Sequence, residues 1–247
     1  MELTDDQRRR YARHLVLPEI GEAGQAKLLA SSALVIGAGG LGSAAISYLA
    51  AAGVGRIGIC EHDRVDLSNL QRQVMYEMGD LGRLKIEAAA DRLSELNPDV
   101  ELVLFPRRIH AENAREMVRE FDVVLDGSDN FATRFVVADS CAAEKKPLIS
   151  AAISGFEAQL STFKPYLGAP HPSYRDLVPE MPEREVTCAQ EGIIGPLAGM
   201  LGSMQALEAM KELLGIGQSL SGRLWCYDGL SGQARIIKII VNQQLVV

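Results

Sequence analysis

The run Val35-Ile36-Gly37-Ala38-Gly39-Gly40-Leu41-Gly42 constrains this chain more than any other: an apolar strand passes into a glycine turn that opens a small-residue helix. Gly37 allows the tight turn, and Gly39 lets the backbone come close to a phosphate. Gly42 lets the helix lie against the sheet with its N-terminal N–H groups aimed at an anion. Such a turn builds a phosphate site. It points to a nucleotide without specifying a reaction.

The residues downstream narrow the chemistry. A second apolar strand, Ile57-Gly58-Ile59-Cys60, ends in Glu61, 24 residues beyond Gly37, where an acidic side chain can hydrogen-bond a ribose diol. To this point the pattern suits NAD as well. The block Asp63-Arg64-Val65-Asp66-Leu67-Ser68-Asn69-Leu70-Gln71-Arg72-Gln73 and then Lys85 add polar and cationic groups for which a dehydrogenase has no evident need and a triphosphate does. Arg72 can grip phosphate oxygens as a planar fork, Lys85 as a point charge, and Asn69 as a neutral donor. A further strand, Asp122 to Leu125, runs into Asp126-Gly127-Ser128-Asp129-Asn130, setting carboxylates at the carboxyl edge of a parallel sheet, where ligands of open α/β sheets sit. Asp129 is thereby a candidate magnesium ligand. Arg72 and Lys85 also admit a plainer reading as solvated surface charges, and Asp126 as a turn residue that ends its strand.

In this order, Arg10-Tyr11-Ala12-Arg13-His14, Leu17-Pro18-Glu19-Ile20-Gly21, Gly37 to Gly42, Leu67 to Gln73, Asp126 to Asn130 and Thr187-Cys188 to Gly192 resemble the ThiF/MoeB/HesA family, the bacterial relatives of ubiquitin-activating enzymes. The resemblance covers nearly the whole chain. It implies a Rossmann-like α/β fold, doubly wound, with a mostly parallel sheet. It also implies a nucleotidyltransferase that uses Mg-ATP to adenylate the C-terminal glycine carboxylate of a small ubiquitin-like sulfur-carrier protein, releasing pyrophosphate ahead of thiocarboxylate formation. Gly37, Gly39, Gly40 and Gly42 would then hold the nucleotide and Glu61 its ribose. Asn69, Arg72 and Lys85 would hold the phosphates and Asp129 the magnesium, with Asp63, Ser68 and Asn130 beside them. Arg13 would reach the triphosphate from the partner subunit of a homodimer. The carrier is expected to be of the molybdopterin-synthase type, with the thiamine-pathway type as the alternative. Sulfur is expected from a separate donor.

The residues suit that chemistry physically. A carboxylate must attack the α-phosphorus, so two anions have to meet and the charge growing on pyrophosphate must be stabilised by placed cations. No proton-transfer residue is required, because a C-terminal carboxylate is already ionised at neutral pH. An oxidoreductase would need a hydride site and an acid/base that the sequence does not display. A binding-only scaffold is disfavoured by the presence together of Arg13, Arg72, Lys85 and Asp129.

Four cysteines, Cys60, Cys141, Cys188 and Cys226, occur without a CxxC pair or a secretory signal, which reads as a reduced, cytoplasmic protein. Three lie in apolar runs and read as core. Cys188 lies at the end of a long loop where some members of the resembled family carry a reactive cysteine, and it is a candidate for catalysis. Many members also hold structural zinc through two CxxC pairs; here the first pair corresponds to Ser173 and Asp176, and no cysteine follows Cys226. A closed zinc site needs four good ligands, so no zinc is expected. The segment from Lys164 to Cys188 would then be ordered by packing, by its five prolines or by a bound carrier tail.

The resemblance implies a single adenylation domain over 1–247, with which composition agrees: an N-terminal helical arm (1–30), a nucleotide-binding core (31–163), a crossover loop (164–191), and a C-terminal helix with antiparallel strands (192–247). Thr4 and Gln7 have capping-box spacing for a helix in the arm. The strands Arg223 to Tyr227 and Gln233 to Val241 are expected to extend the sheet, and a helix from Pro196 to Leu214 is expected to be buried. At 247 residues and 47% hydrophobic the chain can bury a substantial core. Its net charge of −7, from 25 basic and 32 acidic residues, argues against the extended basic surface of an RNA-modifying relative.

Overall fold

A computed structural model describes residues 2–182 and 192–241; Cys188 lies outside them. One eight-stranded sheet runs through the molecule in the order β3-β2-β1-β4-β5-β6-β7-β8. The parallel half comprises β1 (Ser32–Ile36), β2 (Arg56–Cys60), β3 (Glu101–Phe105), β4 (Val123–Asp126) and β5 (Leu148–Ser154). The antiparallel half continues with β6 (Glu157–Phe163), β7 (Arg223–Asp228) and β8 (Gln233–Lys238). The expected mostly parallel, doubly wound sheet with an antiparallel extension is therefore the observed architecture.

Alternation along the strands builds two cores, since successive side chains in a strand point to opposite faces. Ala33 and Val35 of β1 enter one cluster and Leu34 and Ile36 the other. Each fully buried Leu or Val contributes about 1.5–3 kcal/mol of transfer free energy. On the first face lie α3 (Gly21–Leu29), α4 (Gly40–Ala52), α5 (Lys85–Leu96) and α9 (Gly195–Leu214); on the second lie α6 (Ala111–Arg119), α7 (Phe131–Ala143) and α8 (Tyr174–Leu177). Met200, Met204 and Met210 of α9 pack against the first core. The crossing of α4 and α9 is close enough that a Cβ on Gly202 would stand 2.2 Å from the carbonyl oxygen of Leu41.

Ahead of these, α1 (Asp5–Arg10) carries the expected capping box between Thr4 and Gln7, and α2 (Ala12–Leu15) follows directly. Several strand boundaries shift by a residue, and two further differences have a clear cause. α9 begins one residue early, at Gly195, where a Cβ would meet the carbonyl of Gln71 at 2.3 Å. β8 stops at Lys238 because β7 begins at Arg223, just after the turn at Gly222 (φ +81°), so the ladder runs out of partner beyond one bond from Ile239 N–H to the Gly222 carbonyl. No helix among the described residues is long and apolar enough to cross a membrane.

Candidate nucleotide site

Strand order reverses between β1 and β4, and at such a switch point the loops leaving the two strands diverge and open a crevice. A cavity of about 730 Å³ occupies it, walled by the glycine turn after β1, the loop after β2, the loop after β4, and the N-terminal turns of α5 and α7.

The glycine turn is shaped as its sequence requires. Gly37 has φ +86°, a left-handed conformation that favours glycine. A Cβ on Gly42 would fall 1.8 Å from the Gly37 carbonyl oxygen, so Gly42 is what lets α4 start against its own turn. Helix starts leave their first N–H groups without intrahelical acceptors, and at Gly40 and Leu41 these groups border the cavity. The turn is pinned from both sides: Glu61 Oε2 accepts the Ala38 N–H at 2.9 Å, and the Tyr76 hydroxyl donates to the Ala38 carbonyl at 2.8 Å. Glu61 Oε1 accepts the N–H groups of His62 and Asp63 at 2.7 and 2.9 Å. The carboxylate expected at a ribose thus also organises two loops, leaving Oε2 with acceptor capacity on the cavity side.

Cations line the same cavity. Lys85 opens α5 and is 5% exposed, yet its ammonium has among the described residues a single partner, Asp63 Oδ2 at 3.5 Å. An ammonium carries three donors, and a buried charge with so little compensation is costly. That deficit fits an anion in the cavity. Arg72 lines it too, with Nη1 bound to the Ser68 carbonyl at 2.9 Å, and Asn69 lies one turn before it. Ser68 itself gives its hydroxyl to Asp66 Oδ1 at 2.6 Å and is not part of the wall.

The loop after β4 adds Ser128, Asp129 and Asn130 to the lining. Asn130 caps α7, its Oδ1 accepting the Thr133 N–H at 2.9 Å, which points the loop into the crevice. Asp129 is exposed and touches Asn130 Nδ2 at 3.4 Å, without an ion pair among the described residues. An exposed carboxylate lining a cavity that also carries Arg72 and Lys85 suits magnesium, which takes one or two carboxylates and completes its shell with phosphate oxygens and waters. Asp126, by contrast, is buried, and burial pushes its carboxyl up against the opposing pull of Arg134.

Sequence reasoning missed Arg107, Arg108 and Arg134, all of which line the cavity. Arg107 and Arg108 follow β3, and only the strand order reveals that β3 ends beside β2. Arg134 had a legible signal, lying one helical turn beyond Asn130.

Arg13, expected to act from a partner subunit, and the positions matching the first zinc pair lie elsewhere. Arg13 projects from α2, outside the cavity wall. Ser173 and Asp176 are bonded to each other, the Ser173 N–H and hydroxyl both reaching Asp176 Oδ2 at 2.8 and 2.7 Å. The three described cysteines are buried, and burial beside Glu61 pushes the Cys60 thiol up to about 12.

Comparison with known proteins agrees with this architecture. The chain is 44% identical over 246 residues to a sulfur carrier protein adenylyltransferase of Thermus thermophilus, covering 98% of this chain and 91% of the relative. It is 43% identical to a probable molybdopterin-synthase adenylyltransferase of Porphyra purpurea, covering 95% of this chain and 61% of the relative. With the adenylyltransferase and sulfurtransferase MOCS3 of Bos taurus it shares 44% identity over 96% of its length, but spans about half (52%) of that protein. Among solved structures, the microcin C7 biosynthetic enzyme MccB, in complex with N-formylated MccA, superposes with a TM-score of 0.84 over 98% of this chain and 75% of that one, at 19% identity; this establishes the fold alone. A family model described as the ThiF family matches residues 11–245, and on that extent of agreement the chain belongs to the ThiF family.

Proposed function

We propose that this protein adenylates the C-terminal glycine carboxylate of a ubiquitin-like sulfur-carrier protein, consuming Mg-ATP and releasing pyrophosphate. The observation that carries the reading is Lys85: a buried ammonium with one long contact to Asp63, lining the same cavity as the glycine turn and the helix N-terminus that follows it. An acyl-adenylate forms when a carboxylate oxygen bonds the α-phosphorus and the bond to the pyrophosphate oxygen breaks. Arg72 and Lys85 hold the negative charge that accumulates on the departing oxygens, and Asn69 adds a neutral donor. Gly39 and Gly40 bring backbone N–H groups to the phosphates while Gly37, its own N–H spent on the Cys60 carbonyl, turns the chain beneath them; Glu61 offers its remaining acceptor capacity to the ribose, and Asp63 and Asn130 complete the wall. Bound magnesium, held by Asp129, would supply further charge neutralisation at the phosphates.

The names of the Thermus and Porphyra relatives support a sulfur carrier, and the molybdopterin-synthase type is favoured over the thiamine type. The three described cysteines are buried, and the sulfur that later replaces AMP comes from a separate donor. The protein acts as a cytoplasmic homodimer to which Arg13 contributes in trans, and the Ser173–Asp176 box orders the crossover segment without zinc.

The test is exchange of labelled pyrophosphate into ATP with purified carriers ending in Gly-Gly, one of each pathway type. Exchange that depends on the molybdopterin-synthase type carrier is expected, and its loss in Asp129→Ala. Exchange surviving that substitution would refute the magnesium role, and no exchange with any carrier would refute the reaction.

A further inference from the structure

Two buried amides fasten the residues on either side of Arg13 to the far end of the phosphate-facing helix. Helix ends leave their last carbonyls short of intrahelical donors, and in the closing turn of α4 two of these carbonyls are met by side chains. Gln25 of α3 is 0% exposed and donates through Nε2 to the Ala52 carbonyl at 2.9 Å. Asn97, buried where α5 ends, donates through Nδ2 to the Ala50 carbonyl at 2.7 Å. Each amide then reaches outward. Gln25 Oε1 lies 2.9 Å from His14 Nδ1, and Asn97 Nδ2 also donates to the Tyr11 hydroxyl at 2.9 Å.

Because the Gln25 amide nitrogen is committed to Ala52, its Oε1 meets His14 as an acceptor, and Nδ1 is therefore a ring nitrogen that carries a proton. The Tyr11 ring lies so close to Gly53 that a Cβ there would fall 2.5 Å from it. Arg13, between the two anchored residues, is exposed and stands outside the cavity of its own subunit. It belongs to α2, a helix of four residues. A helix of one turn is not stable by itself, so its direction is set by what holds its ends.

We propose that Gln25 is a positioning residue for the partner subunit's site. Through His14 it fixes α2, and so the direction in which Arg13 leaves this subunit for the other cavity, with Asn97 and Tyr11 as the second anchor. The proposal rests on the reading above that Arg13 acts in trans. It gives α4 a part in both sites: its first turn borders the cavity of its own subunit, and its last turn holds the arm that serves the other.

The experiment measures carrier-dependent pyrophosphate exchange in homodimers and in heterodimers isolated by separate tags, with thermal melting alongside. Gln25→Met keeps the side-chain length and removes both hydrogen bonds; its homodimer is expected to lose about three- to tenfold in rate, the range set by one net hydrogen bond. Paired with Lys85→Met, a Gln25→Met subunit keeps its own Lys85 and receives Arg13 from an intact arm, so about half the wild-type rate should return. A pair that stays at half the rate of the Gln25→Met homodimer, or below it, would place the defect in the subunit that carries it and overturn the proposal. Undiminished exchange in the Gln25→Met homodimer would overturn it as well. His14 supplies a second route should Gln25→Met fail to fold. His14→Leu is expected to lose rate and to be complemented in the same way, while His14→Asn, which keeps an N–H near the position of Nδ1, should recover most of the loss. Equal loss in both His14 variants would overturn the hydrogen-bonded anchor. Arg13→Ala is the control for the underlying reading: full activity in its homodimer, or no recovery when paired with Lys85→Met, would bring down action in trans before Gln25 is judged.

Discussion

Glu61 Oε2 accepts the N–H of Ala38 at 2.9 Å, so the carboxylate that closes β2 braces the middle of the glycine turn that follows β1. Its other oxygen serves two further N–H groups, and a Gln here cannot satisfy all three, because its amide must face at least one N–H with a donor. Glu61→Gln is therefore expected to destabilise the fold by about 1–3 kcal/mol, read from urea unfolding, and to weaken ATP binding by loosening the turn. Stability equal to wild type would show that the brace is dispensable.

Much of this was legible beforehand. Strand and glycine turn were readable because their residues carry steric requirements that few other conformations satisfy: Gly37 sits at positive φ and Gly42 admits no Cβ. The cations Arg72 and Lys85 were readable from their spacing after a phosphate turn, and both line the cavity. The sequence did not reveal which atoms Glu61 spends on backbone, since an acidic residue at a strand end looks the same whether it binds a ribose or a neighbouring loop. Nor did it show that Ser173 and Asp176, read as positions lacking zinc ligands, form a helix-start box that closes the turn on itself. Arg107 and Arg108 were invisible for a different reason: their place depends on β3 lying beside β2, a relationship between distant segments.

The crossing of α4 and α9 gives a paired prediction. Gly202→Ala would drive a Cβ into the Leu41 carbonyl at 2.2 Å and the Ala44 Cβ at 3.0 Å, neither of which is the end of a flexible side chain. Overpacking of this kind costs about 1–3 kcal/mol. Leu41 lies in the first turn of the phosphate-facing helix, so ATP affinity should fall with it. Gly199→Ala, one turn earlier on the same helix, meets nothing within 4 Å and should stabilise the protein by about 0.5–1 kcal/mol through helix propensity. Thermal melts of the two variants moving in the same direction would contradict the crossing geometry.

Asp126 predicts a pH dependence of stability. Desolvation raises its carboxyl above the ordinary value of 3.8, against the pull of Arg134 and the hydrogen bond from Ser128. The native state thus keeps a proton that the unfolded chain has already lost, and stability contributed by this group falls as pH rises from the usual aspartate range toward the raised native value. Asp126→Asn has no such proton to lose. The stability of wild type minus that of Asp126→Asn, measured by urea unfolding at stepped pH, should decline through that window and level off above it. A difference that stays flat would show that Asp126 is ionised in the fold.

Arg13 gives the sharpest test of the assembly. Its neighbours are locked to the core: the Tyr11 hydroxyl accepts from Asn97 Nδ2 at 2.9 Å, and His14 Nδ1 bonds Gln25 Oε1 at 2.9 Å. Arg8 is paired with Glu22, Arg9 with Asp6, and Arg10 with the Leu96 carbonyl. Arg13 alone of the four arginines has neither a hydrogen bond nor an ion pair among the described residues, so a rigid base presents an unspent guanidinium away from its own cavity. On the homodimer proposed above, Arg13→Ala and Lys85→Met are each expected to be inactive in carrier-dependent pyrophosphate exchange. In a heterodimer of the two, isolated by separate tags, one site would combine an intact Lys85 with an intact Arg13 across the two-fold axis and should restore about half the wild-type rate. If Arg13 served its own subunit, both sites of the heterodimer would be broken and the rate would stay at the level of the inactive parents.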